Sequence, residues 1–136
     1  SYLENKLNNG DALKIFEQMI DEHGGDLSLL YNPQTYSPNN KQIIVADESG
    51  YLQNMDTFKI GISIIEMGGG RLTKADSLDN SAGIVFSKKT GDPVENGEII
   101  CEAFCADEAR LKKAVQTIKS SITISEEKAP ERQLIL

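Results

Sequence analysis

At 136 residues, 39% of them hydrophobic and 26% charged, the chain has the length and composition of one globular domain, able to bury roughly two thirds of its unfolded surface without staples. Twenty-one acidic against 14 basic side chains leave a net charge of −7, which would repel a polyanion, and no apolar run approaches the roughly 20 residues of a membrane span, so neither nucleic acid nor membrane is expected as a partner. The opening SYLENKLNNGD has neither the basic region nor the apolar core of a signal peptide, and a cytoplasmic protein is the simplest expectation.

In chain order, a helical segment comes first, with Leu3 and Leu7 one turn apart. After Asn8-Asn9-Gly10 a better helix is expected near 11–23, with Asp11 as N-cap, Leu13, Phe16, Met19 and Ile20 in one apolar stripe, and Gly24-Gly25 as its stop. His23 falls in the last turn, where a cation complements the helix dipole, so a capping role is expected rather than a catalytic one. Left open, the stripe would drive association, so residues 1–30 are expected to pack on the core or on another copy. The segment 26–40 holds two prolines and reads as an ordered connection, packed at Leu29, Leu30, Tyr31 and Tyr36. It is also the expected boundary: residues 1–30 form a helical lead-in and 31–136 the final domain.

Gln42 to Ala46 is a β-branched strand, Glu48-Ser49-Gly50 a turn, and Tyr51-Leu52-Gln53 the start of a return strand, which together predict a short hairpin. Asp56 can cap a helix near 56–67 with Ile60, Ile64, Ile65 and Met67 inward, ending in Gly68-Gly69-Gly70. Gly61 inside that helix lowers its propensity and predicts a close approach to another backbone.

The chain is organised around Gly83 to Cys105, where strands expected near 83–89 and 98–105 flank the turn-rich Gly91-Asp92-Pro93-Val94-Glu95-Asn96-Gly97. Ile99, Cys101, Ala103 and Cys105 share one face and Ile100, Glu102 and Phe104 the other, so this second strand should be central. An amphipathic helix near 107–119 follows, with Leu111, Ala114, Val115 and Ile118 inward and Lys112, Lys113 and Lys119 outward. Ile122 and Ile124 mark a last strand near 121–125, and a polar turn over 125–130 leads to Leu134-Ile135-Leu136. The expected fold class is α+β.

No constellation for catalysis stands out: there is no GxSxG, no paired Cys and His, no Walker sequence and no spaced histidine pair. Cys101 and Cys105 lie about 13 Å apart along one strand, far beyond the roughly 4.4–6.8 Å a disulfide needs, and are expected buried and reduced, with no metal role. Asp76, Asp79, Asp92, Glu95 and Glu98 are read as solvated turn and cap residues. A glycine run beside Arg71 and Lys74 invites a phosphate-binding reading, but a P-loop needs a strand before its glycines and a helix after them, and here the order is reversed. A helix stop with a tight turn is therefore expected, with an anion contact through Gly69, Gly70, Arg71 and Lys74 as the alternative.

The helix NNGDALKIFEQMIDEHGGD and the unbroken pattern GGGR-x-TK-x-D-x-x-D-x-x-x-GI followed by KK-x-GD-x-V-x-x-GE resemble the C-terminal part of pyrimidine-nucleoside phosphorylases, the family that includes thymidine phosphorylase. The resemblance covers nearly the whole chain. It implies a transferase of nucleoside salvage that splits a pyrimidine nucleoside with inorganic phosphate into free base and pentose 1-phosphate, acting as a homodimer that closes over its substrates. It further implies an α/β-hammerhead related to barrel-sandwich hybrids, preceded by an N-terminal helical segment. The family's phosphate loop, base-contacting residues and SGRG-type signature belong upstream, so no catalytic residue is assigned here, no metal or other cofactor is expected, and the chain alone is expected to be inactive. Gly69, Gly70, Arg71 and Lys74 remain as candidates that support the phosphate side from behind. One alternative is a biotinyl or lipoyl carrier, since GD-x-V-x-x-GE is also the turn of those modules. Their modified lysine has no counterpart in Phe104-Cys105-Ala106-Asp107-Glu108-Ala109, and Lys74 precedes the hairpin. A free-standing interaction module is the other.

Overall fold

In the computed structural model, which describes residues 1–33, 38–71 and 73–130, the chain divides into two units, Ser1–Ser37 and Pro38–Leu136. The first is helical: α1 (Tyr2–Asn8), α2 (Asp11–Glu22) and α3 (Ser28–Tyr31). Ser1 and Glu4 form a capping box at the head of α1, each side chain taking a backbone N–H of the other. The N-cap of α2 is not Asp11 but Gly10, in the left-handed region at φ 83, and Asp11 begins the helix, its carboxylate held by Lys6 and Asn9. A left-handed residue turns the chain sharply between two helices only two residues apart, and glycine meets that need without a cap side chain. His23 is the C-cap of α2. No residue of these three helices is buried, and Leu29, Leu30 and Tyr31 are exposed in α3, so the expected packing at those points is corrected to a short helix with open side chains. Tyr36 lies outside the described residues, as do Leu134-Ile135-Leu136.

In the second unit the elements are β1 (Asn40–Val45), β2 (Gly50–Met55), α4 (Thr57–Glu66), β3 (Gly83–Phe86), β4 (Pro93–Val94), β5 (Ile99–Cys105), α5 (Glu108–Ser120) and β6 (Ile122–Ser125). Two antiparallel three-stranded sheets result, β1-β5-β3 and β4-β2-β6. The class is α+β. β5 is central in its sheet, with Ile44 opposite Cys101 on one side and Phe86 opposite Cys101 on the other. The expected hairpin between β1 and β2 does not form, because the two strands enter different sheets. At the end of β1 the Ala46 N–H goes to Glu98 O at 2.9 Å and the Gly97 N–H to Ala46 O at 2.8 Å, so β1 is committed to the strand that follows the turn and not to its neighbour in sequence.

Period-2 and period-3.6 faces meet over the larger core, where Cys101, Ala103 and Cys105 of β5 and Ile44 of β1 pack against Met67 and against Leu111, Ala114, Val115 and Ile118 of α5. The smaller core joins Ala46, Leu52, Val94 and Ile100, with Ile122 touching both. Thus β5 serves two cores: Cys101, Ala103 and Cys105 face the helices and Ile100 the second sheet, while Ile99, expected on the helix face, is exposed. Asp56 caps α4 through the Lys59 N–H at 3.1 Å and Asp107 caps α5 through Ala109 and Arg110 at 2.8 and 3.0 Å. Glu66 of α4 accepts from Thr117 Oγ1 at 2.7 Å and pairs with Lys113 Nζ at 3.3 Å, fastening the two helices side by side.

Gly61 contradicts its expected role. It is exposed, and a Cβ built on it would meet nothing within 4 Å. With helical φ and no neighbour to crowd, Gly61→Ala should stabilise the chain by about 1 kcal/mol, read from urea denaturation. A neutral or destabilising result would mean that a backbone does approach there.

Candidate functional site

The end of α4 shows what the glycine run is for. The Gly68 N–H donates to Ile65 O and the Gly69 N–H to Ile64 O, both at 2.9 Å, the paired bonds of a Schellman motif. Gly68 takes the left-handed turn at φ 97. The chain then folds back over its own helix so closely that a Cβ would fall 2.8 Å from Ile64 Cγ2 at Gly69 and 2.8 Å from Ile65 Cγ1 at Gly70. Two of the amides that a phosphate cradle would use are therefore bonded to helix carbonyls, at the end of the helix where the dipole is negative. Arg71 and Lys74, both exposed, follow on the loop that leads to β3. Of the four candidates, then, Gly69 and Gly70 lie against α4, and the two cations project from the loop beyond.

The aspartates of D-x-x-D divide the work of shaping that loop. Asp76 accepts from the Thr73 N–H at 2.9 Å and the Thr73 hydroxyl at 2.8 Å, closing a turn around Lys74. Asp79 accepts from the Ser81 N–H at 2.8 Å, from the Ser81 hydroxyl, and from the Ala106 N–H at 2.6 Å across the fold. Partial burial pushes the Asp79 carboxyl up, but the Ala106 and Ser81 donors and the Arg110 charge outweigh it and hold the group below the usual carboxylate range. Asp79 is thus a cross-link and more than the solvated turn residue expected. Asp79 and Arg110 also line a groove of about 350 Å³ with Met67, Leu78 and Asp107. Their meeting had no local sign in the sequence, since Arg110 falls inside the helix expected near 107–119 and nothing around Asp79 points to it.

A depressed folded pKa fixes the sign of the pH effect: the contribution of Asp79 is present above its unfolded value near 3.8 and is lost as pH falls through the folded one. The stability gap between the natural chain and Asp79→Asn should accordingly be full at neutral pH and shrink below pH 4. Urea midpoints at pH 7 and pH 3 would show a constant gap if the carboxylate had no such role.

The second motif, KK-x-GD-x-V-x-x-GE, is likewise taken up by folding. The Asp92 side chain accepts from the Lys89 N–H at 2.8 Å, its carbonyl accepts from the Leu52 N–H at 3.0 Å while the Gly91 N–H donates to Leu52 O at 2.7 Å, and Val94 enters the smaller core. Lys88 Nζ bonds Glu98 Oε1 at 2.6 Å and Pro93 O at 3.1 Å, while Glu98 Oε2 accepts from the Glu95 N–H at 2.9 Å. The Lys88 ammonium and the Glu95 N–H hold the Glu98 carboxyl low. Gly91 and Gly97 take the left-handed turns, at φ 93 and 83. The loop ties β2 of one sheet to β1 and β5 of the other.

Cys101 and Cys105 are free and buried on the helix-facing side of β5; burial raises the Cys101 thiol to about 11 and lifts Cys105 as well. Neither should react with an aromatic disulfide reagent until the chain is unfolded; rapid labelling of native protein would contradict this packing. Among the described residues no group of three His, Cys, Asp or Glu side chains could hold a metal, and no helix is long and apolar enough to cross a membrane. The chain after β5 passes at once into the Asp107 cap of α5, so this point is not the tight lysine-bearing turn that a carrier module needs.

The model of the family described as pyrimidine nucleoside phosphorylase C-terminal domain matches residues 51–125, from β2 to the end of β6 and including both motif loops. A pyrimidine-nucleoside phosphorylase of Staphylococcus aureus (strain USA300) is 36% identical over 121 residues, which are 88% of this chain and 28% of that protein. The chain therefore spans little more than a quarter of the length of this curated relative. The carrier reading is set aside by the same match. With a family match over both motif loops and the relative aligned along most of the chain, this protein belongs to the pyrimidine nucleoside phosphorylase C-terminal domain family.

Proposed function

We propose that the chain is the C-terminal portion of an enzyme that cleaves a pyrimidine nucleoside with inorganic phosphate to give the free base and a pentose 1-phosphate. In this reading residues 1–30 lead in from a helical segment and 31–136 form the final domain, an α/β-hammerhead related to barrel-sandwich hybrids. The parent is a cytoplasmic homodimer, and the catalytic residues lie in the remainder of its chain. The observation that carries the proposal is the 36% identity to a pyrimidine-nucleoside phosphorylase along 88% of the chain. Large apolar side chains left open fit it too: Phe58 is 75% exposed and Ile15 65%, surfaces that the rest of a longer chain would cover.

The role of this portion is structural support of the substrate cleft. Gly69 and Gly70 bring the chain back over α4, and Arg71 and Lys74 then face the phosphate side of the closed cleft from behind the residues that touch it. The test is to assay the full-length protein for release of base from thymidine or uridine with and without phosphate. Phosphate-dependent release is expected, and base release independent of phosphate would overturn the reading. Arg71→Ala in that enzyme should lower turnover several-fold through weaker closure, whereas loss of a group that touches phosphate should abolish it.

A further inference from the structure

Between α4 and β3 the chain makes an excursion whose two ends meet, since the Asp79 N–H donates to the Gly68 carbonyl at 2.9 Å. One oxygen of the Asp79 side chain then reaches out of the excursion. Oδ2 accepts from Ala106, 27 residues further along the chain at the junction of β5 and α5, and Oδ1 takes both donors of Ser81. Arg110 is at the same place, close enough to Gly68 that a Cβ there would be 2.9 Å from its Nη1. None of these contacts is required to end α4, which the bonds of Gly68 and Gly69 do, or to start α5, which Asp107 caps. What they fix is the base of the loop. Its far end is closed independently by Asp76, whose bonds to Thr73 enclose Lys74, and Arg71 lies between that turn and the Gly68–Asp79 closure.

We infer that Asp79 is a positioning residue, a latch that joins the Arg71–Lys74 loop to the start of α5 and so sets where these cations stand toward the phosphate side of the cleft. The latch follows from the geometry; the role toward phosphate rests on the proposed function. A carboxylate suits the task because it can accept at both oxygens at once, whereas an amide in its place turns an N–H group toward one of the donors.

Trypsin tests the latch on the 136-residue chain, because it cuts after Arg71 and Lys74 and needs a locally opened segment. Asp79→Ala is expected to speed cleavage at these two sites about tenfold. Cleavage after Lys112 and Lys113 within α5, which reports global opening, should rise only as far as the loss of stability read from the urea midpoint requires, and by a smaller factor than at the loop. Equal acceleration at loop and helix, or none at either, overturns the latch. Should Asp79→Ala fail to fold, Asp79→Asn and Ser81→Ala carry the same comparison, and unfolding of these milder variants too would make Asp79 part of the framework and refute a local latch. Kinetics of the full-length enzyme test the second half. Asp79→Asn and Arg71→Ala should each raise the KM for phosphate several-fold, with the double variant no worse than the more affected single one. An opened loop with unchanged KM would leave the latch standing and remove its part in the cleft; a raised KM for Arg71→Ala alone would remove Asp79 as the residue that positions it.

Discussion

The 136-residue chain on its own is expected to release no base from thymidine or uridine in the presence of phosphate, and to bind phosphate weakly or not at all. Phosphorolysis passes through a charge-separated glycosyl transition state, so phosphate must be held by converging cationic and amide donors while the departing base is stabilised by others. Such convergence is worth several orders of magnitude in rate, and here the donors diverge. The Gly68 and Gly69 amides are bonded to carbonyls of α4, and Arg71 and Lys74 are exposed on a loop beyond it. Lys88 is engaged by Glu98 and Pro93, and Arg110 stands beside Asp79. A net charge of −7 further disfavours a dianion at low ionic strength. Turnover above background by the purified chain would show that chemistry resides in it, and would reverse the division of labour proposed for the parent enzyme.

What the sequence makes legible follows the range of the interaction. The inward face of α5, Leu111, Ala114, Val115 and Ile118, could be read at once because a helix repeats its own signal every turn, and all four are buried. The central place of β5 was readable from apolar residues on both of its faces. Strand partnership was not. Glu48-Ser49-Gly50 carries the local chemistry of a hairpin turn, but β1 pairs with β5, and nothing within a few residues of Ile43 announces that pairing. Gly61 misled for a related reason: a glycine forced by contact and one merely tolerated on an exposed face look identical in a sequence. The candidate loop is legible through its glycines and cations, which lie close together in the sequence. Asp79 reads as a solvated turn residue, because its decisive partner, the Ala106 N–H, is a backbone group in another element that no side-chain pattern reveals.

Replacing the three glycines one at a time by alanine separates a fold requirement from a ligand requirement, and the largest stability loss is expected at Gly68, about 2–3 kcal/mol. Two costs add there: about 1–2 kcal/mol for forcing an L-residue to φ 97, and a further share because the new methyl would stand 2.9 Å from Arg110 Nη1 and 3.2 Å from Asp79 Cβ. Arg110 is long enough to move aside, so Arg110→Ala should relieve only the smaller share, and the backbone cost should persist in the double variant. Gly69→Ala comes next, at about 1–2 kcal/mol, since its methyl would press on the stiff Cγ2 of Ile64 at 2.8 Å and on Ala82 Cβ at 3.3 Å without any left-handed strain. Gly70→Ala should cost about as much as Gly69→Ala, because the crowding atom, Ile65 Cγ1 at 2.8 Å, also sits on a branched carbon and moves only with χ1. Against a domain stability on the order of 5–15 kcal/mol, the first of these is a substantial fraction. Glycines kept for the approach of a phosphate would give another pattern, with stability little changed and the loss confined to phosphate affinity. Equal urea midpoints for the natural chain and Gly68→Ala would therefore mean that the run is not there to turn the chain back over α4.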